Sequence, residues 1–198
     1  MKTVNKTLLA VAVAGAFGMG SVPAMADGVS ANVGFVSNYV WRGMTQSSDK
    51  PAVQGGFDYA QGPWSVGIWG SSMDLVTEVD LYGSYSFGPV TVGLITYQYP
   101  SATAANFNEV NIGGDIGPVS LMYSYDPDNK TNYIEAGYSF EMTKGVSLDL
   151  HVGNYDQGIG TDYSVGVSGS YGGFDLGLTA ANSDATGSTT FVSVSKSM

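Results

Sequence analysis

Eight carboxylates recur on one side of a series of extended segments: Asp58, Glu78, Asp80, Glu109, Asp115, Glu135, Asp149 and Asp175. Arg42 and His151 share that side, and together these ten are the candidate lumen-lining residues. Acids repeated on one face with few cations between them make a negative field, so the chemistry they offer is attraction of cations. Arg42, placed at the end of the first segment, is expected to pair with Asp58 on the next, either as a constriction residue or as a plain structural ion pair. His151 is the only histidine. A catalytic base needs an orienting acid and a nucleophile. Asp149 shares its face two residues away, but no Gly-x-Ser-x-Gly elbow accompanies it, so no enzymatic activity is expected and a membrane hydrolase or acylase is the weakest reading. One histidine and no cysteine leave no metal set, and no cofactor is expected. Asp126-Pro127-Asp128-Asn129-Lys130 resembles a fragment of a calcium loop, without the glycine and distal glutamate of an EF-hand. Asp, Asn and Pro favour turns, so a solvated turn is the better reading.

The segments that must position these groups alternate apolar and polar residues, the period of a β-strand. Twelve are expected, near 29–42, 52–60, 64–73, 75–87, 89–99, 106–116, 118–126, 131–141, 146–155, 161–171, 174–182 and 189–197. In the first, Val29, Ala31, Val33, Phe35, Tyr39 and Trp41 oppose Ser30, Asn32, Gly34, Asn38 and Arg42. The third puts Trp69 on the polar face. In the fifth, Val92 and Leu94 compete with Ile95 and Tyr97 for the apolar face.

The connections differ in length. Gln61-Gly62-Pro63, Gly88-Pro89, Gly117-Pro118, Thr143-Lys144-Gly145 and Gly172-Gly173 are tight turns; 43–51, 100–105, 127–130, 156–160 and 183–188 are longer polar links, with a short one at Ser72-Met73-Asp74. Short turns at one end and longer loops at the other is the layout of an outer-membrane barrel. Lipid offers no hydrogen-bond partners, so a sheet spans it only when closed. The expected fold is therefore all-β: a closed antiparallel transmembrane barrel of about twelve strands, ten being the alternative, with apolar side chains outward and carboxylates inward. Tyr39, Trp41, Tyr59, Trp64, Phe87, Tyr97, Tyr99, Tyr123, Tyr125, Phe140, Tyr171 and Phe174 sit near segment ends, as interfacial girdles would. The many glycines and serines on the polar face argue for open space within. A soluble secreted sandwich or lectin is the competing architecture.

Composition supports this reading. Twenty-eight glycines disfavour a helical protein, and thirteen Tyr, eight Phe and three Trp supply too much buriable area for disorder. Residues 1–26 read as a cleaved signal peptide: Lys2 and Lys6, an apolar run from Leu8 to Met19 too short to span a bilayer, and Ala24-Met25-Ala26 before Asp27. Residues 27–198 then form the barrel. In them Arg42, Lys50, Lys130, Lys144 and Lys196 are the only lysines and arginines against all seventeen acids, a balance that excludes nucleic acid as a partner.

The run Gly34-Phe35-Val36-Ser37-Asn38-Tyr39-Val40-Trp41-Arg42-Gly43-Met44-Thr45-Gln46, followed by Pro51-Ala52-Val53-Gln54-Gly55-Gly56-Phe57-Asp58-Tyr59, resembles the TorF-family porins, also known as the Gcw_chp proteins of unknown function. The remainder is similar only in its glycine-aromatic hairpins. The resemblance implies an outer-membrane barrel and a pore, without a substrate. One departure is the final Met198, where outer-membrane barrels often end in an aromatic residue. The expected function is passive diffusion of small solutes or ions across the outer membrane of a Gram-negative bacterium, with mild cation preference. The alternative is a closed structural or surface-binding barrel. Expected partners are outer-membrane lipid, lipopolysaccharide and the barrel-assembly machinery, and an oligomer is compatible with the sequence.

Overall fold

The computed structural model describes residues 27–198. The expected signal peptide, residues 1–26, lies outside the described residues. Fourteen strands follow in order: β1 Gly28–Val36, β2 Val40–Trp41, β3 Met44–Thr45, β4 Ala52–Gln61, β5 Trp64–Ser72, β6 Thr77–Phe87, β7 Val90–Gln98, β8 Phe107–Ile116, β9 Val119–Asp126, β10 Thr131–Thr143, β11 Val146–Tyr155, β12 Gly160–Tyr171, β13 Phe174–Ser183 and β14 Gly187–Ser197. Twelve of them close into one antiparallel barrel in which each pairs with its sequence neighbour and β1 meets β14. Closure rules out the sandwich, and the count rules out ten strands. The first expected segment ends early. β1 stops at Val36, and β2 and β3 form a separate hairpin outside the barrel ladder.

Side-chain period dictates which way each strand faces. Val29, Val33, Phe35, Val53, Phe57, Val66, Ile68, Leu81, Leu94, Val110, Ile134, Val165, Leu178 and Val192 are all exposed, while Gln54, Ser71, Glu78, Asp80, Glu109, Ser124, Glu135, Asp162 and Thr179 are buried. A soluble barrel would be the reverse. An exposed apolar belt of this extent is a surface for lipid or another apolar partner. No helix among the described residues is long and apolar enough to cross a membrane.

One mouth carries the tight turns. Gly62, Gly88, Gly117, Gly145 and Gly172 each adopt a positive φ there, a conformation other residues enter only with strain. The other mouth carries the longer links, including a short 3-10 turn at Thr103–Ala105. Loop aspartates tie these links to neighbouring strands. Asp128 accepts the backbone N–H of Asn108 at 2.8 Å, Asp156 that of Asn132 at 2.9 Å and Asp184 that of Thr161 at 2.8 Å. Asp126 accepts the N–H groups of Asp128 and Asn129, so the 126–130 run is a capped turn, as its composition suggests.

The inward glycines are not simply open space, contrary to the expectation. A Cβ on Gly67 would collide with the ring of Tyr82, and one on Gly153 with the hydroxyl of Tyr133. Aromatic rings lying over cross-strand glycines fill the interior and fix register.

Candidate functional site: a hairpin seated in the lumen

After Val36 the chain turns into the barrel. Arg42 and Gly43 form a two-residue loop with φ of 48° and 73°, joining Val40–Trp41 to Met44–Thr45 with Val40 opposite Thr45 and Trp41 opposite Met44. Positive φ at both positions is the signature of a type I′ hairpin turn. Arg42 accepts a backbone conformation that costs a non-glycine residue about 1 kcal/mol or more. Gly43 is required by space as well as by φ: an added Cβ would lie 2.6 Å from the Cβ of Asp162 and 2.9 Å from that of Ser183.

Asn38 organises the base of this hairpin. Its amide donates to Asp49 at 2.7 Å and to Thr189 on β14 at 3.1 Å, and its carbonyl accepts the Thr45 hydroxyl at 2.6 Å. The Ser47 hydroxyl accepts the N–H of Tyr39 at 2.9 Å and donates to the Lys50 carbonyl at 2.6 Å. Lys50 pairs with Asp74 in the β5–β6 link. The apolar face is equally anchored. Tyr39 meets Trp69 edge-on at 5.7 Å in a buried cluster with Val36 and Ala52, and Val40 packs with Ala181 and Phe191. The hairpin thus touches strands around most of the barrel circumference.

At its tip Arg42 is buried. Its Nη1 donates to Glu109 Oε1 at 2.7 Å and its Nη2 to Oε2 at 2.8 Å, a bidentate pair. Nη1 also donates to the Tyr155 hydroxyl at 2.6 Å. The guanidinium lies 4.3 Å from the Trp41 ring centroid, 4.1 Å from that of Tyr133 and 5.2 Å from that of Tyr155. Trp41 in turn leans on Tyr97 at 5.7 Å, which stacks on Phe107 at 4.3 Å.

The expected Arg42–Asp58 pair does not form. Asp58 instead accepts the Tyr82 hydroxyl at 2.6 Å. The reason is the early end of β1: Arg42 lies on the inserted hairpin, and β8 presents Glu109 to it. Nor does Asp149 orient His151. Asp149 accepts the hydroxyls of Ser139 at 2.7 Å and Ser168 at 2.6 Å. His151 Nε2 lies 2.9 Å from Asp162 Oδ1 and 3.1 Å from the Tyr133 hydroxyl, and its Nδ1 lies 3.6 Å from Glu135 Oε2. No serine hydroxyl bonds His151 among the described residues.

The inward acids fall into two tiers. Glu78, Asp80, Glu109 and Glu135 are buried around and beneath the hairpin, whereas Asp58, Asp115, Asp149 and Asp175 lie nearer the tight-turn mouth. Asp175 accepts the Ser170 hydroxyl at 2.5 Å. A cavity of about 350 Å³ reaches from the Gly117-Pro118 turn up to Glu135 and His151, with Asp115 and Asp149 on its walls. Four girdle candidates, Tyr39, Trp41, Tyr97 and Tyr99, are relocated. Tyr39 and Tyr97 are buried within, Trp41 packs beside them, and the exposed aromatics concentrate at the tight-turn mouth, with Trp64, Phe87, Tyr171 and Phe174. Tyr99 lies just past β7 and donates to Glu78 at 3.2 Å. Asp162, Tyr133 and Tyr155 are site residues that sequence reasoning missed. Asp162 is an acid at an inward position and was findable by the same alternation that placed the others.

No curated protein sequence matches the chain. Several solved structures align with the chain. A protein from a study of in-meso crystallization of membrane proteins aligns with a TM-score of 0.58 at 8% identity, over 86% of this chain and 83% of its own. A mutant of the Rh. blastica porin aligns with a TM-score of 0.50 at 14% identity, over 88% of this chain and 75% of its own. An engineered protein from a study of asymmetric conductivity aligns at 0.47 and 13% identity, over 74% of this chain, which spans only 55% of that protein. At such identities the likeness is one of fold. A family model described as bacterial protein of unknown function (Gcw_chp) matches residues 21–197, nearly the whole described barrel, and the chain belongs to that family.

Proposed function

We propose that the protein is an outer-membrane barrel of the TorF porin type, exported with residues 1–26 as a signal peptide. Its acid-lined lumen passes small solutes, cations in preference, when the hairpin leaves its seat. The carrying observation is the Arg42–Glu109 pair, a buried latch on a hairpin whose strands β2 and β3 pair, among the described residues, only with each other. A segment inserted in a lumen and held by side chains is separable from the wall in a way a strand is not. The negative field of the eight inward acids supports cation preference. No reaction is assigned to it, and lipid and lipopolysaccharide are its surroundings in this reading. The Gram-negative envelope and its assembly machinery follow from that location.

The density of anchors on the hairpin favours a second reading, a closed structural barrel that carries no solute. Planar-bilayer recording separates the two. The channel reading expects rare openings of the wild type, frequent openings of Arg42→Ala, and a reversal potential in a salt gradient displaced toward the cation. Silence over many insertions of both, and of a variant with residues 38–50 replaced by a short glycine-serine link, establishes the closed barrel instead.

A further inference from the structure

The wall facing Arg42 is more specific than a latch requires. One carboxylate would hold a charged loop. Here Glu109 offers both oxygens to the planar fork, Tyr133 and Tyr155 lay their rings over it, and the Tyr155 hydroxyl accepts a further N–H. These three residues belong to β8, β10 and β11, not to the hairpin. Glu109 and Tyr133 are also held without Arg42. Tyr97 donates to Glu109 at 3.3 Å, and Tyr133 donates to Asp162 at 2.9 Å. A bidentate carboxylate flanked by aromatic faces matches a guanidinium and discriminates against an ammonium, which is compact, strongly hydrated and not planar.

The strand beside the site carries a further acid. Two residues along β10 from Tyr133 is Glu135, whose side chain is 6% exposed and whose Oε1 has no hydrogen-bond partner. Glu135 and His151 line the cavity that reaches the tight-turn mouth. A cation in that cavity lies among the carboxylates of Asp115, Asp149 and Glu135.

We propose that Glu109, Tyr133 and Tyr155 form a guanidinium-binding site that Arg42 occupies in cis, and that a small solute carrying a guanidinium group competes with the hairpin for it. The binding site stands on its own geometry; its consequence for conduction rests on the channel reading above. Seat and latch are then one set of atoms, and the ligand class that opens the barrel is the class whose group Arg42 imitates.

The test is chemical replacement of the missing side chain. Arg42→Ala is purified in detergent, and its folding is checked by its shifted migration on unheated gels; Arg42→Gln replaces it if the alanine variant does not fold. Methylguanidinium and methylammonium are titrated at millimolar concentration, reading the thermal midpoint and tryptophan fluorescence. The expected result is a saturable rise of the midpoint with methylguanidinium, a response at least about tenfold weaker with methylammonium, and loss of the effect in the variant that also carries Glu109→Gln. General denaturing action of a guanidinium salt would lower the midpoint, so a rise reports the site. Equal responses to the two cations, or a rise that survives Glu109→Gln, overturns the proposal. Methylguanidinium is also applied to the wild type in bilayers, where increased opening is expected. Binding without any conductance upholds the site and rejects the channel reading.

Discussion

Arg42 and Glu109 lie 67 residues apart in sequence and meet across the lumen with both side chains 4% exposed. Burying two charges is costly unless each satisfies the other, and removing one partner strands the second. Arg42→Ala should therefore destabilise the folded barrel by about 3 kcal/mol, and Glu109→Gln by a similar amount. The double variant should cost clearly less than the two singles together, because the stranded charge is gone. Denaturant unfolding in detergent measures the cycle. Additive losses would show that the two groups do not depend on each other.

Gly43 tests whether the hairpin's seat is sterically tight. Its φ of 73° disfavours any side chain, and the space a Cβ needs is already held by Asp162 and Ser183. Gly43→Val should expel the hairpin while leaving the barrel ladder intact, since neither β2 nor β3 pairs with it. The expected signature is new protease cleavage between residues 37 and 51 with unchanged migration on unheated gels. Resistance equal to that of the wild type would mean the hairpin tolerates the collision in place.

How far the sequence disclosed this arrangement differs between wall and plug. The wall was legible because a strand with one apolar and one polar face obeys a two-residue period, and eleven of the twelve barrel segments lie close to where that period puts them. The first segment misled. Tyr39 and Trp41 continue the apolar alternation of Val33 and Phe35, yet they belong to a hairpin whose apolar side meets the barrel interior. Two irregularities were its trace. Trp69 falls on the polar face because it packs against Tyr39, and β7 shows two competing apolar faces because Leu94 meets the exterior while Ile95 and Tyr97 are buried inside. The Arg42-Gly43 dipeptide between Trp41 and Met44 was the local turn signal. Its partner Glu109 had no local signal, since contacts across a lumen leave no periodicity to read.

The outward face predicts its own response to charge. Leu178 is 53% exposed midway along β13, and the adjacent Thr179 is 5% exposed on the inner face. An arginine at a lipid-facing position near the bilayer centre costs about 2–4 kcal/mol. Leu178→Arg should lower folding stability in lipid vesicles by that amount, whereas Leu178→Phe should leave it within about 0.5 kcal/mol. Measurement of both by urea titration in vesicles decides the matter. A harmless Leu178→Arg would place this face in water rather than lipid.

The loop aspartates give a pH dependence whose sign is fixed. Asp156 lies outside the strands, and the backbone N–H of Asn132 donated to its carboxylate holds its pKa below the ordinary aspartate range, aided by the Asn132 side-chain amide. A carboxyl whose folded pKa is depressed contributes stability above its unfolded pKa and loses it as pH falls through the folded one. The β11–β12 loop should therefore stay docked on β10 at neutral pH and release only in strongly acidic solution, below the usual aspartate titration. Asp156→Asn keeps the shape but removes the charge, so it should weaken docking already at neutral pH. Hydrogen exchange at the Asn132 amide reports both effects: protection should fall at low pH in the wild type, and be lower and flat with pH in the variant once the intrinsic exchange rate is divided out. Protection that stays constant through the acid range in the wild type would show that the loop is held by its backbone contacts alone, including the Asp156 N–H to Asn132 carbonyl bond of 3.0 Å.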